Sequence, residues 1–547
     1  IVKVMNFLFS IAIYNLLFFT GRGFAISVSK LLGIKLKESV FGVFHENFYI
    51  IYTLFLIGNL SFLLNFFTPI NKFIVLIPIS IFLFFNFDNS LSSTKRNYYL
   101  ISNFCIPFAL TFSTFDIGFH YDAALYHLNF QNWLLNEKII YGISNIYAPF
   151  GLSSINDYIL SNFQISGNFV VLHFLNIAIL TSLFSLLFSI IFFDNKSSYK
   201  FAGLFVLFFC FFDNFGVNGG GNGFPNFQGI GKVDNLFGVL FLFIVLMYTY
   251  LKKENFIDFF DFLIFTLLIL FSVQLKIFGA LFLILYFDIF RNFYKSEKIN
   301  YFVFLKFFTF PISLSIFWTI KNYIQTSCLF YPSNITCNEN SIWFSNSAQT
   351  LTEDTREFHR AYNFDNNPYD WFQFWIEKQE NSILVFNFVI FIVFLSFVKK
   401  VLFNLSRDFK INNLLIFIFT NILVLFFSSP TPRFFIGPLI SLVFLTGLNV
   451  NSLKLKPRRG VFSYSLIFIA LASVIFFPRI NSYKKGFENP FIFTQLNIPE
   501  IEYVNDNYWG VRPQNGELCW ININCTESTE NLLEENLNSF KLFRILE

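Results

Sequence analysis

The sequence predicts an all-α polytopic membrane protein of about 12–14 transmembrane helices, and three observations carry that expectation: apolar content, the length of the apolar runs, and the segregation of charge between loops. Of 547 residues, 55% are hydrophobic and 13% charged, and mean hydropathy is +0.57. A soluble domain carries about 25% charge, so a water-soluble globular protein is excluded. The formal net charge of +4 is too balanced to indicate a nucleic-acid partner. Phe supplies 89 residues; lipid-facing positions accept any large apolar side chain, so this excess carries no functional weight.

A bilayer core of ~30 Å needs ~20 helical residues per crossing. About fourteen runs qualify, near 4–20, 48–66, 73–87, 98–115, 169–192, 201–212, 234–250, 257–272, 275–290, 300–320, 382–398, 412–428, 433–449 and 461–477. The two runs flanking Gln274 read either as a hairpin or as one long tilted helix.

Short loops rich in Lys and Arg stay in the cytoplasm. Seven alternate loops, from Arg22, Lys30, Lys35 and Lys37 to Lys454, Lys456, Arg458 and Arg459, hold 21 of the 38 basic residues and only seven acids. The other side bears three long segments, 116–168, 321–381 and 478–547. The expectation is a bacterial inner-membrane protein with both termini in the periplasm. It divides into N-terminal helices (1–97), a transmembrane core (98–477) with outer loops 116–168, 213–233 and 321–381, and a small C-terminal outer segment (478–547). The chain begins with Ile and shows no cleavable signal peptide, so the first span is expected to serve as the insertion signal. Cys328 with Cys337 and Cys519 with Cys525 fall in the outer segments, where two local disulfides are expected. Neither pair has the two-residue gap of a zinc site.

The first outer segment, Thr114-Phe-Asp-Ile-Gly-Phe-His-Tyr-Asp-Ala-Ala-Leu-Tyr-His-Leu, gathers Asp116, His120, Asp122 and His127 within twelve residues at the end of a span. Asp is a favoured helix N-cap, so the bland reading of Asp122 is a cap for the helix-compatible stretch to Glu137, which is expected to lie along the interface. The cluster as a whole points to chemistry: a carboxylate at the membrane surface can act as general base on a hydroxyl, and a His can orient it or meet a phosphate. Lys276, at an outer turn, and Arg433, at the start of a span, reach the same side. Either can snorkel harmlessly, but together they are the cations a lipid-linked phosphate leaving group needs. Asp234 and Lys232 are further site candidates.

Gly219 to Gly231 suggests a phosphate loop, yet Lys232 is followed by Val233 and the segment joins two spans, so a loop over a site is the better reading. His-Glu-x-x-His, Gly-x-Ser-x-Gly and dinucleotide fingerprints are absent from the sequence. Asp116 and Asp122 leave a divalent metal, Mg or Mn, as an open cofactor reading.

Four stretches carry a resemblance that runs from about residue 98 to the end of the chain. They are Tyr121-Asp-Ala-Ala-Leu-Tyr-His-Leu, Lys321-Asn-Tyr-Ile-Gln-Thr-Ser-Cys-Leu-Phe-Tyr-Pro-Ser, Pro430-Thr-Pro-Arg-Phe-Phe-Ile-Gly, and Pro513 through Cys519-Trp and Cys525-Thr. They resemble an uncharacterised family of bacterial multispan inner-membrane proteins, itself remotely similar to the GT-C glycosyltransferases. That similarity implies a GT-C-like fold and transfer of a sugar from a polyprenyl-phosphate-linked donor to an envelope glycan or lipid acceptor. Asp116 and Asp122 match the base or metal-contacting Asp of the first outer loop, and Lys276 and Arg433 match the lipid-phosphate side. The chain departs from the pattern in its three leading spans and in lacking a large soluble terminal domain. The implied partners are the lipid-linked donor, the acceptor and membrane lipid. The rival classes are a transporter or flippase, which would hold ionisable residues on broken helices at mid-membrane, and a non-enzymatic envelope protein.

Overall fold

Most long helices are apolar on every side, the pattern of a helix enclosed by other helices and lipid. In the computed structural model the described residues are 6–31, 40–85, 98–164, 167–193, 197–214, 230–253, 259–296, 301–360, 409–428, 432–449, 484, 485, 488, 494–505, 510–514, 518–525 and 532–545. The helices among them are α1 (Asn6–Leu31), α2 (Val40–Asn65), α3 (Lys72–Phe84), α4 (Ile106–Thr111), α5 (Leu128–Asn136), α6 (Ile155–Ser161), α7 (Val170–Phe193) and α8 (Ser197–Asn214). There follow α9 (Asp234–Lys253), α10 (Phe259–Leu275), α11 (Leu283–Ser296), α12 (Tyr301–Thr326), α13 (Ser347–Arg360), α14 (Phe409–Ser428) and α15 (Ile436–Asn449). Five stretches of the described residues are long and apolar enough to cross a membrane: Asn6–Leu31, His45–Asn65, Val170–Phe192, Asp234–Lys252 and Ile277–Tyr294. The sequence-predicted spans at 382–398 and 461–477 lie outside the described residues.

Some polar side chains inside the bundle are matched across helices. Asn59 of α2 and Gln274 of α10 exchange amide hydrogen bonds of 3.2 and 2.8 Å. The predicted span at 98–115 is a chain of turns, with a π turn at Ile101–Cys105, then α4, then a 3₁₀ turn at Phe112–Asp116. Pro107 accounts for the break, since it has no N–H to give the carbonyl four residues back. That carbonyl, Asn103 O, instead accepts from Asn15 Nδ2 of α1 at 3.0 Å, and Asn103 Nδ2 returns a bond to Asn15 Oδ1 at 3.0 Å.

Around Gln274 the hairpin alternative is the one realised. Lys276 is extended (φ −149°, ψ 140°), and a 3₁₀ turn at Ile277–Phe282 folds back on α10. Gly279 permits this, because a Cβ there would lie 2.3 Å from the Ser272 carbonyl.

Backbone bonds gather one end of the bundle. Ile70 N donates to Leu134 O at 2.9 Å, Ile139 N to Asn65 O at 2.8 Å, Gly142 N to Ile324 O and Phe169 N to Leu496 O, both at 3.0 Å. The segments expected to lie outside, in their described parts 116–164, 167–168 and 321–360, and the C-terminal residues therefore meet at this loop-bearing end. At the opposite end lie the pairs Lys252–Asp288 (2.6 Å) and His45–Asp261 (3.2 Å).

The C-terminal segment adds short strands to the mostly helical fold. It contains the antiparallel pairs β1 (Tyr503–Asn505) with β2 (Val511–Pro513), and β3 (Leu532–Leu537) with β4 (Phe540–Ile545). In the second pair Asn538 adopts a left-handed conformation (φ 57°) and tightens the turn. The hairpin docks on the first outer segment through Tyr141 N to Lys541 O (3.0 Å) and Phe543 N to Tyr141 O (2.9 Å). Trp133 and Phe543 meet edge to face at 5.9 Å.

Candidate functional site

Asp122 is placed by a short bridge between the first outer segment and the end of the Gly-rich loop. His120 N donates to Ile230 O at 3.0 Å and Ile230 N to Gly118 O at 3.1 Å. Gly231 then turns with φ +100°, where a Cβ would lie 2.7 Å from Ala123 Cα, so only Gly fits. The turn carries Lys232 directly onto the Asp122 carboxylate. Asp122 occupies the N-cap of the π turn Ala123–His127 but its side chain makes no capping bond. The ion pair displaces the bland capping reading. Asp122 N donates to His120 Nδ1 at 3.1 Å, and the same ring nitrogen stands 3.4 Å from the Asp122 carboxylate. Asp116 ends the 3₁₀ turn; its side chain lies outside the described ones.

A second pair stands beside the first. Asp234, the first residue of α9, binds Lys276 at the α10 hairpin. Lys276 Nζ also lies 4.5 Å from the centre of the Phe434 ring and 5.7 Å from that of Phe237. Phe434 belongs to the turn Pro432–Phe435, which brings the Arg433 backbone to this cluster; the Arg433 side chain lies outside the described ones. Next to Lys232, a small cleft is walled by Gly231, Asn156, His173 and Asn176.

His127 is engaged one layer deeper. Its Nδ1 binds Asp157 Oδ1 at 2.8 Å. Burial alone would push the imidazole down; the charge and hydrogen bond of Asp157, with the charges of Asp122 and Asp234 farther off, outweigh it and hold His127 above its ordinary value. Asp157 is fixed in turn by Gln131 Nε2 (3.2 Å) and by the capping box of α6, in which Ser154 N donates to its Oδ2 at 3.2 Å. Lys321 of α12, fully buried, donates to Ser153 O (2.9 Å) and Ser153 Oγ (2.6 Å), clamping the residue that precedes this cap.

Asp122, Lys232, Asp234 and Lys276 thus converge, His120 and His127 border them, and the Arg433 backbone abuts them. Sequence reasoning missed Asp157, Gln131 and Lys321. Ser154-x-x-Asp157 is a readable capping-box signature, whereas nothing local marks Gln131 or Lys321. Among the described residues, no group of three or more His, Cys, Asp and Glu is arranged to hold a metal ion. Of the two carboxylates in the Mg or Mn reading, Asp122 carries the Lys232 ammonium.

Both expected disulfides are formed, Cys328–Cys337 and Cys519–Cys525. The second forms a cover over the first outer segment. Asn129 Nδ2 donates to Asn522 O at 2.7 Å, Asn132 Nδ2 to Ile521 O at 2.6 Å, and Trp520 N to Ala124 O at 3.2 Å. The Trp520 ring meets Phe119 at 4.9 Å. Consequently α5, expected along the membrane interface, is enclosed by protein, with Leu128, Asn129, Phe130, Gln131, Trp133 and Leu134 all buried. The double variant Cys519→Ser/Cys525→Ser is expected to lose about 2–3 kcal/mol of local stability. Its amides at 124–132 should exchange faster with deuterium; unchanged exchange would show that the bridge does not hold the cover.

A bundle with several apolar helices long enough to cross a membrane and an ion-paired, loop-covered end defines an α-helical membrane protein. Residues 5–440 match a family described as a domain of unknown function, DUF8201, and the chain belongs to it. None of the curated proteins and none of the solved structures matches the chain.

Proposed function

We propose that the chain is a membrane glycosyltransferase of GT-C-like architecture. It moves a sugar from a polyprenyl-phosphate-linked donor to a glycan or lipid acceptor at the outer face of a bacterial inner membrane. The observation that carries this reading is the meeting of the Asp122–Lys232 and Asp234–Lys276 pairs at the loop-bearing end of the bundle. Two carboxylates and two cations stand together where a lipid headgroup can reach them.

In the proposed step Asp122 takes the proton of the acceptor hydroxyl, whose oxygen attacks the anomeric carbon. The bond from that carbon to the phosphate oxygen breaks, and its electron pair leaves with the polyprenyl phosphate. Lys276, with Arg433 from the adjoining turn, offsets the charge gathering on the departing phosphate. Lys232 pairs with Asp122 until the donor phosphate competes for the ammonium. No nucleotide takes part.

The test is transfer by the purified protein in lipid vesicles, supplied with a polyprenyl-phosphate sugar and an acceptor glycan. Saturable solute movement without transfer would assign the chain to the transporters instead. The orientation has its own check: Asn340→Cys and Glu500→Cys, both exposed in the fold, should react with an impermeant maleimide on spheroplasts. Labelling of both only after lysis would invert the topology and remove the mechanism.

A further inference from the structure

The loop closed by Cys328–Cys337 has no role in the site, yet its surface is unusually apolar. No charged residue occurs between Lys321 and Glu339. Within that stretch Leu329 is 44%, Phe330 51% and Ile335 97% exposed. Such side chains standing together in water would form an unfavourable patch, so their exposure calls for a partner.

The shape of the loop indicates which one. Ser327 turns the chain at the end of α12 with φ 61°. Leu329 N then donates to Thr336 O at 3.1 Å, and Asn338 N to Ser327 O at 2.9 Å. These bonds and the disulfide give a closed finger that bends back beside α12. Leu329 shares a groove with Ser315, Ile316, Thr319, Ile320 and Tyr323 of that helix. The helix buries Leu314, Trp318 and Lys321 on one side and exposes Phe310, Ile312, Ile316, Phe317 and Ile320 on the other. An uncharged exposed face on a helix of a membrane-crossing bundle faces acyl chains, and the finger continues that face without an intervening charge.

We infer that the Cys328–Cys337 finger dips into the bilayer, with Leu329, Phe330 and Ile335 seated at the boundary between headgroups and acyl chains. Tyr331 ties the finger to the body. It is buried, its hydroxyl donates to Ala148 O at 2.8 Å, and its ring fills the space beside Gly151. The same turn leads into Ser153 and the Ser154–Asp157 cap. The finger therefore fixes the height of the first outer segment relative to the lipid surface, and this holds whether or not the chain transfers sugars.

The test uses the full chain in liposomes with a photo-crosslinking phenylalanine analogue placed singly at Phe330, Ile335, Ile316 or Asn340. Ile316 is the lipid-facing reference and Asn340 the exposed polar one. Lipid adducts at Phe330 and Ile335 should match those at Ile316 and exceed those at Asn340 several-fold by mass spectrometry. Adducts with a second copy of the chain, or with any other protein, would identify the patch as a protein-docking surface and overturn the inference. Products of reaction with water alone at both finger positions, with Ile316 labelled, would overturn it as well.

Discussion

Replacing Asp122 by Asn is expected to lower the rate of sugar transfer by ~10²- to 10⁴-fold, the usual worth of a general base. Asn keeps the size and loses the charge, so the acceptor hydroxyl would no longer have a group to take its proton. The structure adds a complication that the sequence did not reveal. The Lys232 ammonium is only 5% exposed and leans on this carboxylate, so Asp122→Asn also strands a buried cation. Lower thermal stability is therefore expected in the single variant, and Asp122→Asn/Lys232→Met should recover it without recovering the rate. Lys232→Met alone should raise the KM for the donor more than it lowers kcat, because it removes the proposed phosphate contact and leaves the proposed base. Full transfer activity in a folded Asp122→Asn protein would take Asp122 out of the mechanism. Recovery of rate along with stability in the double variant would do the same, by reducing the carboxylate to a structural partner of Lys232.

The helices were legible because a bilayer leaves a backbone few other solutions, and an apolar run of sufficient length states its own structure. Local disulfides were legible for a similar reason, since nine- and six-residue separations demand little of the fold. What could not be read depends on distant parts of the chain. The Asp122–Lys232 pair joins residues 110 apart in sequence, through a bridge at Ile230 and a turn at Gly231 that only the assembled fold defines. Asn129 and Asn132, in the stretch expected along the interface, hold the disulfide cover by their amides. The β3–β4 hairpin escaped notice because Leu-Leu-Glu-Glu-Asn-Leu alternates imperfectly; its docking on Tyr141 supplies what local pattern lacks. Lys321 follows the apolar run 300–320 with no local sign of its role, and the turn it clamps buries it completely. In each case the sequence announced a residue's chemistry and the tertiary partner changed its meaning.

The largest loss of stability is expected at Asp157, a residue outside the reacting cluster. Its side chain is only 3% exposed, and it serves His127, Gln131 and the Ser154 N–H at once. Asp157→Ala leaves all three donors buried without an acceptor, which should cost about 3–5 kcal/mol, the scale seen when one member of a buried ion pair is removed. Asp157→Asn keeps an oxygen for part of this set and should cost about 1–2 kcal/mol. The pH dependence separates the ionic contribution from the hydrogen bonds. Folding raises His127 above its ordinary value of 6.5, so the stability drawn from its protonated form is complete below that value. It is lost as pH climbs through the raised folded value, where the folded protein also gives up the proton. The difference in Tm between wild type and Asp157→Asn should accordingly be widest in mildly acidic buffer and narrow on the alkaline side. A difference that stays constant across this range would mean that His127 is neutral in the fold and that Asp157 acts through its hydrogen bonds alone.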